Sequence, residues 1–169
     1  MLEIRHALPD EREEVAAFFH DAFPRAKWSR SGWQAIVAGR WSDPDDSYAI
    51  IVRDGGAMVG VLGLVTANRP TTGGMVKTSN MTSWYVNKAY RGRGVGSEML
   101  KLATADGNVT VTNFSSARGA VPVVERAGFS ILDRERLIWR PGGAANRLGN
   151  MRCNRPALPE QGPLNQTQH

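Results

Sequence analysis

The segment Arg91-Gly92-Arg93-Gly94-Val95-Gly96 constrains the fold of this chain more than any other stretch. A run that alternates like a strand precedes it, and an amphipathic run follows it. Three glycines at alternate positions leave little side-chain bulk over the backbone. If the following run is helical, its first N–H groups have no intrahelical partner and open through the turn. Such a turn suits a phosphate or pyrophosphate group.

The rest of the chain supplies the frame for that turn. Leu2 to Ala7 reads as a first strand, and a helix follows Pro9, with Val15, Phe18, Phe19 and Ala22 at helical spacing until Pro24. Trp28 to Trp41 reads as a second helix ending near Gly39, its three tryptophans packing against core or lid. Tyr48 to Val52 and Met58 to Val65 form a hairpin about Arg53-Asp54-Gly55-Gly56. Asn68 to Gly74 is polar and turn-rich, so a loop is expected there. Val76 to Val86 is the long strand, with Thr82, Trp84 and Val86 on one face and Met81, Ser83 and Tyr85 on the other.

Beyond the glycines, Val95, Met99, Leu102 and Ala103 make a helical stripe that Gly107-Asn108 stops. Val109 to Phe114 is a short strand. Ser116 is a candidate cap for a helix over Ala117 to Ala127, with Pro122 inside it or at a kink. Phe129 to Trp139 reads as a last strand. This order predicts an α/β domain over residues 1–140, one mixed sheet with helices on its faces. Residues 141–169 form a polar tail rich in Pro and Gly, expected to be partly disordered.

Composition narrows the function classes. A length of 169 residues fits one domain with a real core. The net charge of +5 favours anionic partners, but the basic residues are scattered singly, so nucleic-acid binding is the weaker expectation. The single cysteine, Cys153, allows no internal disulfide and no cysteine-based metal cluster. Met58 to Val65 is too short to span a membrane, and the N-terminal residues lack a signal-peptide core, so a cytoplasmic setting is expected.

The glycine turn is not a dinucleotide fingerprint, which needs G-x-G-x-x-G, nor a Walker loop, which needs Gly-Lys-Ser/Thr. Arg91 to Gly96 instead resembles the Arg/Gln-x-x-Gly-x-Gly/Ala motif of the GNAT family of acyl-CoA-dependent N-acyltransferases. The resemblance extends through MTSWYVNKAY before the turn and SEMLKLA, NVTVTNFS and AVPVVERAGF after it. It implies a mostly antiparallel mixed sheet splayed at its central strands, and acetyl-CoA or another acyl-CoA as acyl donor. The turn residues Arg91, Gly92, Arg93, Gly94, Val95, Gly96 and Ser97 would hold the pyrophosphate. Trp84, Tyr85 and Val86 would pair with the pantetheine arm, with Asn113 and Ser116 as further contacts.

The implied activity is direct transfer of an acetyl group to a primary amine on a small molecule or peptide. Where family members carry a tyrosine general acid, this chain has Val124, so Tyr85 and Tyr90 are the alternative proton donors. No Asp or Glu occurs from Gly55 through Ser97, so a base must come from Glu125, Asp43, Asp45, Asp46 or His20. Tyr85 and Glu125 are the candidate catalytic residues. An acyl-CoA-binding module without strong activity and a basic nucleic-acid-associated domain are the competing readings. Exposed strand edges leave room for a homodimer.

Overall fold

The computed structural model describes residues 1–114 and 116–132, and its first compact unit spans Met1–Ile131. Strands Leu2–His6 (β1), Ala49–Asp54 (β2), Ala57–Thr71 (β3), Gly74–Val86 (β4) and Val109–Thr112 (β5) lie side by side in chain order. The first four are mutually antiparallel, and β5 runs parallel to β4. Helices Arg12–Ala22 (α1), Arg30–Val37 (α2), Val95–Ala103 (α3) and Val121–Arg126 (α4) complete the unit. Among the described residues, no helix is long and apolar enough to cross a membrane.

The run Ala49-Ile50-Ile51-Val52 explains why helices cover both faces. All four residues are fully buried, and alternate side chains enter different cores. Ile50 and Val52 pack with Leu62, Met81, Met99, Leu100 and Val124, the core beneath α3 and α4. Ala49 and Ile51 pack with Val15, Phe19, Trp33 and Val37, the core beneath α1 and α2. A strand buried on both faces is a continuous apolar run, as this one is.

Four local readings change. The stretch Asn68 to Gly74 is not a loop: β3 extends to Thr71 and pairs with β4 from Gly74, leaving a tight turn. Polar side chains do not prevent pairing on an exposed two-stranded arm, and Arg69 secures it by donating to Thr78 at 3.0 Å. The alternation in β4 breaks at a bulge. Leu62 faces Trp84 but Gly63 faces Thr82, so Ser83 has no partner. The extra residue brings Met81 onto the same core as Trp84 and Val86, whereas Thr82 meets Gly63 on the Phe19 side.

The last helix begins later than expected. Ala120, not Ser116, precedes α4, and Pro122 sits in its first turn. A proline there loses no hydrogen bond, whereas a helix from Ala117 would place its ring against the preceding turn. Of the expected strand from Phe129 to Trp139, residues Phe129–Leu132 are not strand and the remainder lies outside the described residues. The expected tail, 141–169, also lies outside them.

Candidate functional site

The site begins where β4 and β5 part. Their pairing covers only Lys77 to Asn80 against Val109 to Thr112, so β4 continues from Met81 to Val86 without that neighbour. Asn80 marks the fork: its side-chain oxygen accepts from Thr112 Oγ1 and from the Phe114 N–H, each at 3.3 Å. Beyond the fork lies a cleft of about 170 Å³. Its lining includes Ser83, Trp84, Asn113 and Ser116, with Phe23 from the segment after α1 and Ala120 before α4.

Backbone polarity along the free edge follows from strand alternation. The Asn87 N–H donates to the Val59 carbonyl of β3 at 2.8 Å. Alternate residues turn their N–H and C=O to opposite sides, so Trp84 and Val86 present theirs to the edge that β5 has left. The Val86 carbonyl is already used, because Arg91 Nε donates to it at 2.7 Å. Ser83, in the bulge, has φ +49, a left-handed backbone uncommon for a residue with a side chain. Strain of this kind concentrates at functional sites.

The glycine turn follows directly from the C-terminal end of β4, after a short 3-10 turn over Lys88–Tyr90. Gly92 and Gly94 have φ +75 and +79, and a Cβ on either would meet nothing within 4 Å. The space above them is open, and their glycine identity answers to backbone conformation. Gly94 caps α3 without any side-chain hydrogen bond, so the helix has its N-terminal amides uncapped at Val95, Gly96 and Ser97. Val95 is itself buried in the core, which fixes the turn to the sheet, while Ser97 is exposed.

Gly96 has a different reason to be glycine. A Cβ there would lie 2.7 Å from Trp84 Cζ2, so the first turn of α3 rests on the indole ring. Trp84 Nε1 is buried and has no hydrogen-bond partner among the described residues. One side chain thus joins the cleft wall to the helix start.

The two arginines of the turn are partly engaged. The Arg91 guanidinium lies 5.2 Å from the centre of the Tyr85 ring, and that of Arg93 lies 5.9 Å from Tyr90. The Tyr90 hydroxyl donates to Asp54 at 3.0 Å, and this bond raises the phenol's pKa. Tyr85 packs edge-on against Phe18 and Phe23, at 6.1 and 5.7 Å.

The candidate bases are scattered. Neither candidate catalytic residue is among the described residues that line the cleft: Glu125 is exposed on α4, and Tyr85 packs against Phe18 and Phe23. Val124, beside Glu125, is buried in the core. Lys77 bridges Asp43 at 3.0 Å and Asp46 at 2.6 Å, and those hydrogen bonds raise its pKa to about 12. Hydrogen bonding from Asn68, then Lys77, pushes the Asp43 carboxyl below its usual range. His20 pairs with Asp21 at 3.2 Å. Sequence reading missed Phe23, Thr82 and Ser83 as cleft residues. Only the Phe23-Pro24 helix stop hinted at one of them, since the bulge carries no glycine or asparagine to announce it.

A group joining an anionic linker to an extended polar arm fits these features. The uncapped helix start and the open turn suit the linker. The unpaired edge of β4 suits an arm with amide groups, in the manner of an added strand.

The fold is shared with several solved structures. A predicted acetyltransferase with acetyl-CoA from Clostridium acetobutylicum is 12% identical, with a TM-score of 0.62 over 82% of this chain and 96% of that one. A transcriptional regulator from Bacillus halodurans C-125 is 18% identical, with a TM-score of 0.60 over 83% of this chain and 100% of that one. Glucosamine-6-phosphate N-acetyltransferase from Arabidopsis thaliana is 11% identical, with a TM-score of 0.59 over 82% and 98%. At these identities the likeness is one of fold. No curated protein sequence matches the chain. The model of the acetyltransferase (GNAT) family matches residues 9–129, which with the forked sheet and the uncapped glycine turn makes this chain a member of that family.

Proposed function

We propose that this protein is an acyl-CoA-dependent N-acyltransferase that moves an acetyl group from acetyl-CoA directly to a primary amine. The observation that carries this reading is the uncapped start of α3, placed by Gly92 and Gly94 at the end of the unpaired edge of β4. When bound, acetyl-CoA supplies an activated thioester carbonyl.

The chain's own residues then have separable tasks. The amides of Gly92 to Ser97 and the dipole of α3 hold the pyrophosphate, with Arg91 and Arg93 adding positive charge beside it. Trp84 and Val86 offer backbone groups to the pantetheine arm, and Trp84 supports the turn from beneath through Gly96. Asn113 and Ser116 close the opposite wall of the cleft. The Val86 N–H faces the free edge and is the donor proposed to stabilise negative charge on the reacting carbonyl oxygen. Tyr85 is not itself among the cleft-lining residues but packs on Phe23, which is, and is the proposed proton donor to the departing sulfur. Glu125 is given no role in the cleft.

The buried Val124 favours one second reading, an acyl-CoA-binding module with little turnover. Calorimetric titration with acetyl-CoA, followed by thiol release against a panel of amines, separates the two. Binding with turnover supports the enzyme, binding alone supports the module, and no binding contradicts both. In the enzyme, Tyr85→Phe lowers kcat by roughly a hundredfold or more, the usual effect of losing a positioned proton donor.

A further inference from the structure

β1 pairs with β2 on one side only, and among the described residues nothing pairs with its other edge. That edge lies at the opposite end of the strand order from the fork at β5. Its free backbone groups follow from the register. The Ala7 N–H donates to the Ala49 carbonyl at 2.9 Å, and Glu3 and Arg5 face Arg53 and Ile51 in the same ladder. By alternation Glu3 and Arg5 turn their backbone groups to β2, whereas Leu2, Ile4 and His6 turn theirs outward. The His6 carbonyl accepts from the Arg5 side chain at 3.0 Å and keeps a second lone pair.

The side chains of the strand divide by face. Ile4 packs on the core beneath α3. Beside it runs an open groove of about 510 Å³, lined by Leu2, Ile4, Leu102 and Ala105, with Glu98 and Lys101. Glu3 and Arg5 take the other face, where Arg5 meets Glu11 at 2.7 Å. The Glu3 carboxylate is largely exposed and accepts from Arg5 Nε at 3.0 Å.

A bare strand edge is a template for a further strand, and proteins guard such edges with proline, bulges or charged side chains. β1 has no proline and no register shift. Its carboxylate and its guanidinium stand one on each side of Ile4, so they attract when the strand is paired with itself. We infer that this edge is a homodimer surface, on which a second copy of the chain adds its own β1 antiparallel, across a two-fold axis at Ile4. Glu3 then lies opposite the partner's Arg5, and Arg5 opposite the partner's Glu3. Both are positions where opposite charges stabilise a sheet. Ile4 and the partner's Ile4 form a hydrogen-bonded pair, and Leu2 with the partner's His6 continues the ladder using the outward groups.

Other registers are disfavoured by the same residues. A shift of one residue sets outward groups against inward ones and turns the two apolar faces to opposite sides. A shift of two places Glu3 on Glu3 or Arg5 on Arg5, like charges that destabilise. In the matched register the two grooves meet at the axis, and Glu98 and Lys101 bring both signs of charge to that junction. The inference does not depend on the acyl-transfer reading.

Light scattering on the full chain from about 1 to 100 µM measures the assembly, and the mass of two chains is expected at the upper end. Glu3→Lys places a cation opposite each partner's Arg5. It is expected to raise the dissociation constant about tenfold or more, with unchanged far-UV circular dichroism. Disulfide formation reads the register, in a Cys153→Ser background. Ile4→Cys is expected to link two chains on mild oxidation, because the Cα atoms of a hydrogen-bonded antiparallel pair lie about 5.5 Å apart, within disulfide reach. Glu3→Cys is more exposed, but lies diagonal to its own copy at about 7–8 Å and is not expected to link.

A single-chain mass at the highest concentration overturns the inference. So does a dimer that Glu3→Lys leaves at full strength, or one in which Glu3→Cys links as readily as Ile4→Cys. Should Glu3→Lys fail to fold, the two cysteine variants still decide.

Discussion

Gly94 and Gly96 lie two residues apart and are glycine for unrelated reasons. Gly94 needs its positive φ and touches nothing, so an added methyl group strains the backbone by about 1–2 kcal/mol without filling the site. Gly94→Ala is therefore expected to lower stability by about that amount in chemical denaturation, and to weaken coenzyme A binding by shifting the amides it positions. Gly96→Ala instead pushes a methyl group into Trp84, whose side chain or helix must move. Overpacking of this kind costs about 1–3 kcal/mol. Its signature is altered tryptophan fluorescence, which Gly94→Ala lacks. The glycine spacing was legible in the sequence, but this division of labour was not. It depends on a contact between Gly96 and Trp84 that no local pattern encodes.

The elements that form the site were legible where they carry periodic apolar residues. β2, α3 and the hairpin about Gly55 all follow from local spacing. The bulge at Ser83 was hidden, because it arises from the mismatch between β3 and β4 and not from a turn residue. The fork was implied by the family resemblance and not by any local pattern. It depends on where β5 stops, and Val109 to Phe114 remains strand-like beyond Thr112. Asn80 is the residue that holds the fork, with two bonds to the end of β5. Asn80→Ala removes both and leaves the Phe114 N–H without that acceptor. A loss of about 1–3 kcal/mol is expected, together with faster hydrogen exchange at Phe114. Unchanged exchange at Phe114 would mean that the fork is held by something else.

Across the whole unit, one ion-pair network joins the first strands to α1. Arg5 makes a two-pronged contact with Glu11, at 2.7 and 2.8 Å, and Arg53 reaches the same carboxylate at 2.8 Å as well as Glu14. The hydrogen bond from Arg5, then those from Leu8 and Arg53, depress the Glu11 pKa from 4.5 to about 2. A folded pKa below the unfolded one gives stability that is fully present above about pH 4.5 and lost as the pH falls towards 2. Glu11→Gln should remove that part of the acid sensitivity and, by weakening bonds to charged partners, lower stability at pH 7 by about 1.5–3 kcal/mol. Thermal melts across that pH range check both effects. The network binds β1 and β2 to α1, the framework that also holds Phe19 and Phe23 in place beside the cleft.

Amide chemical shifts of the 15N-labelled protein during a titration with coenzyme A probe the proposed site most directly. The main-chain groups of Gly92 to Ser97 are predicted to show the largest shifts, followed by Trp84 and Val86 along the open edge of β4. Coenzyme A that leaves those amides unmoved while shifting others, or that shifts none, would contradict the account.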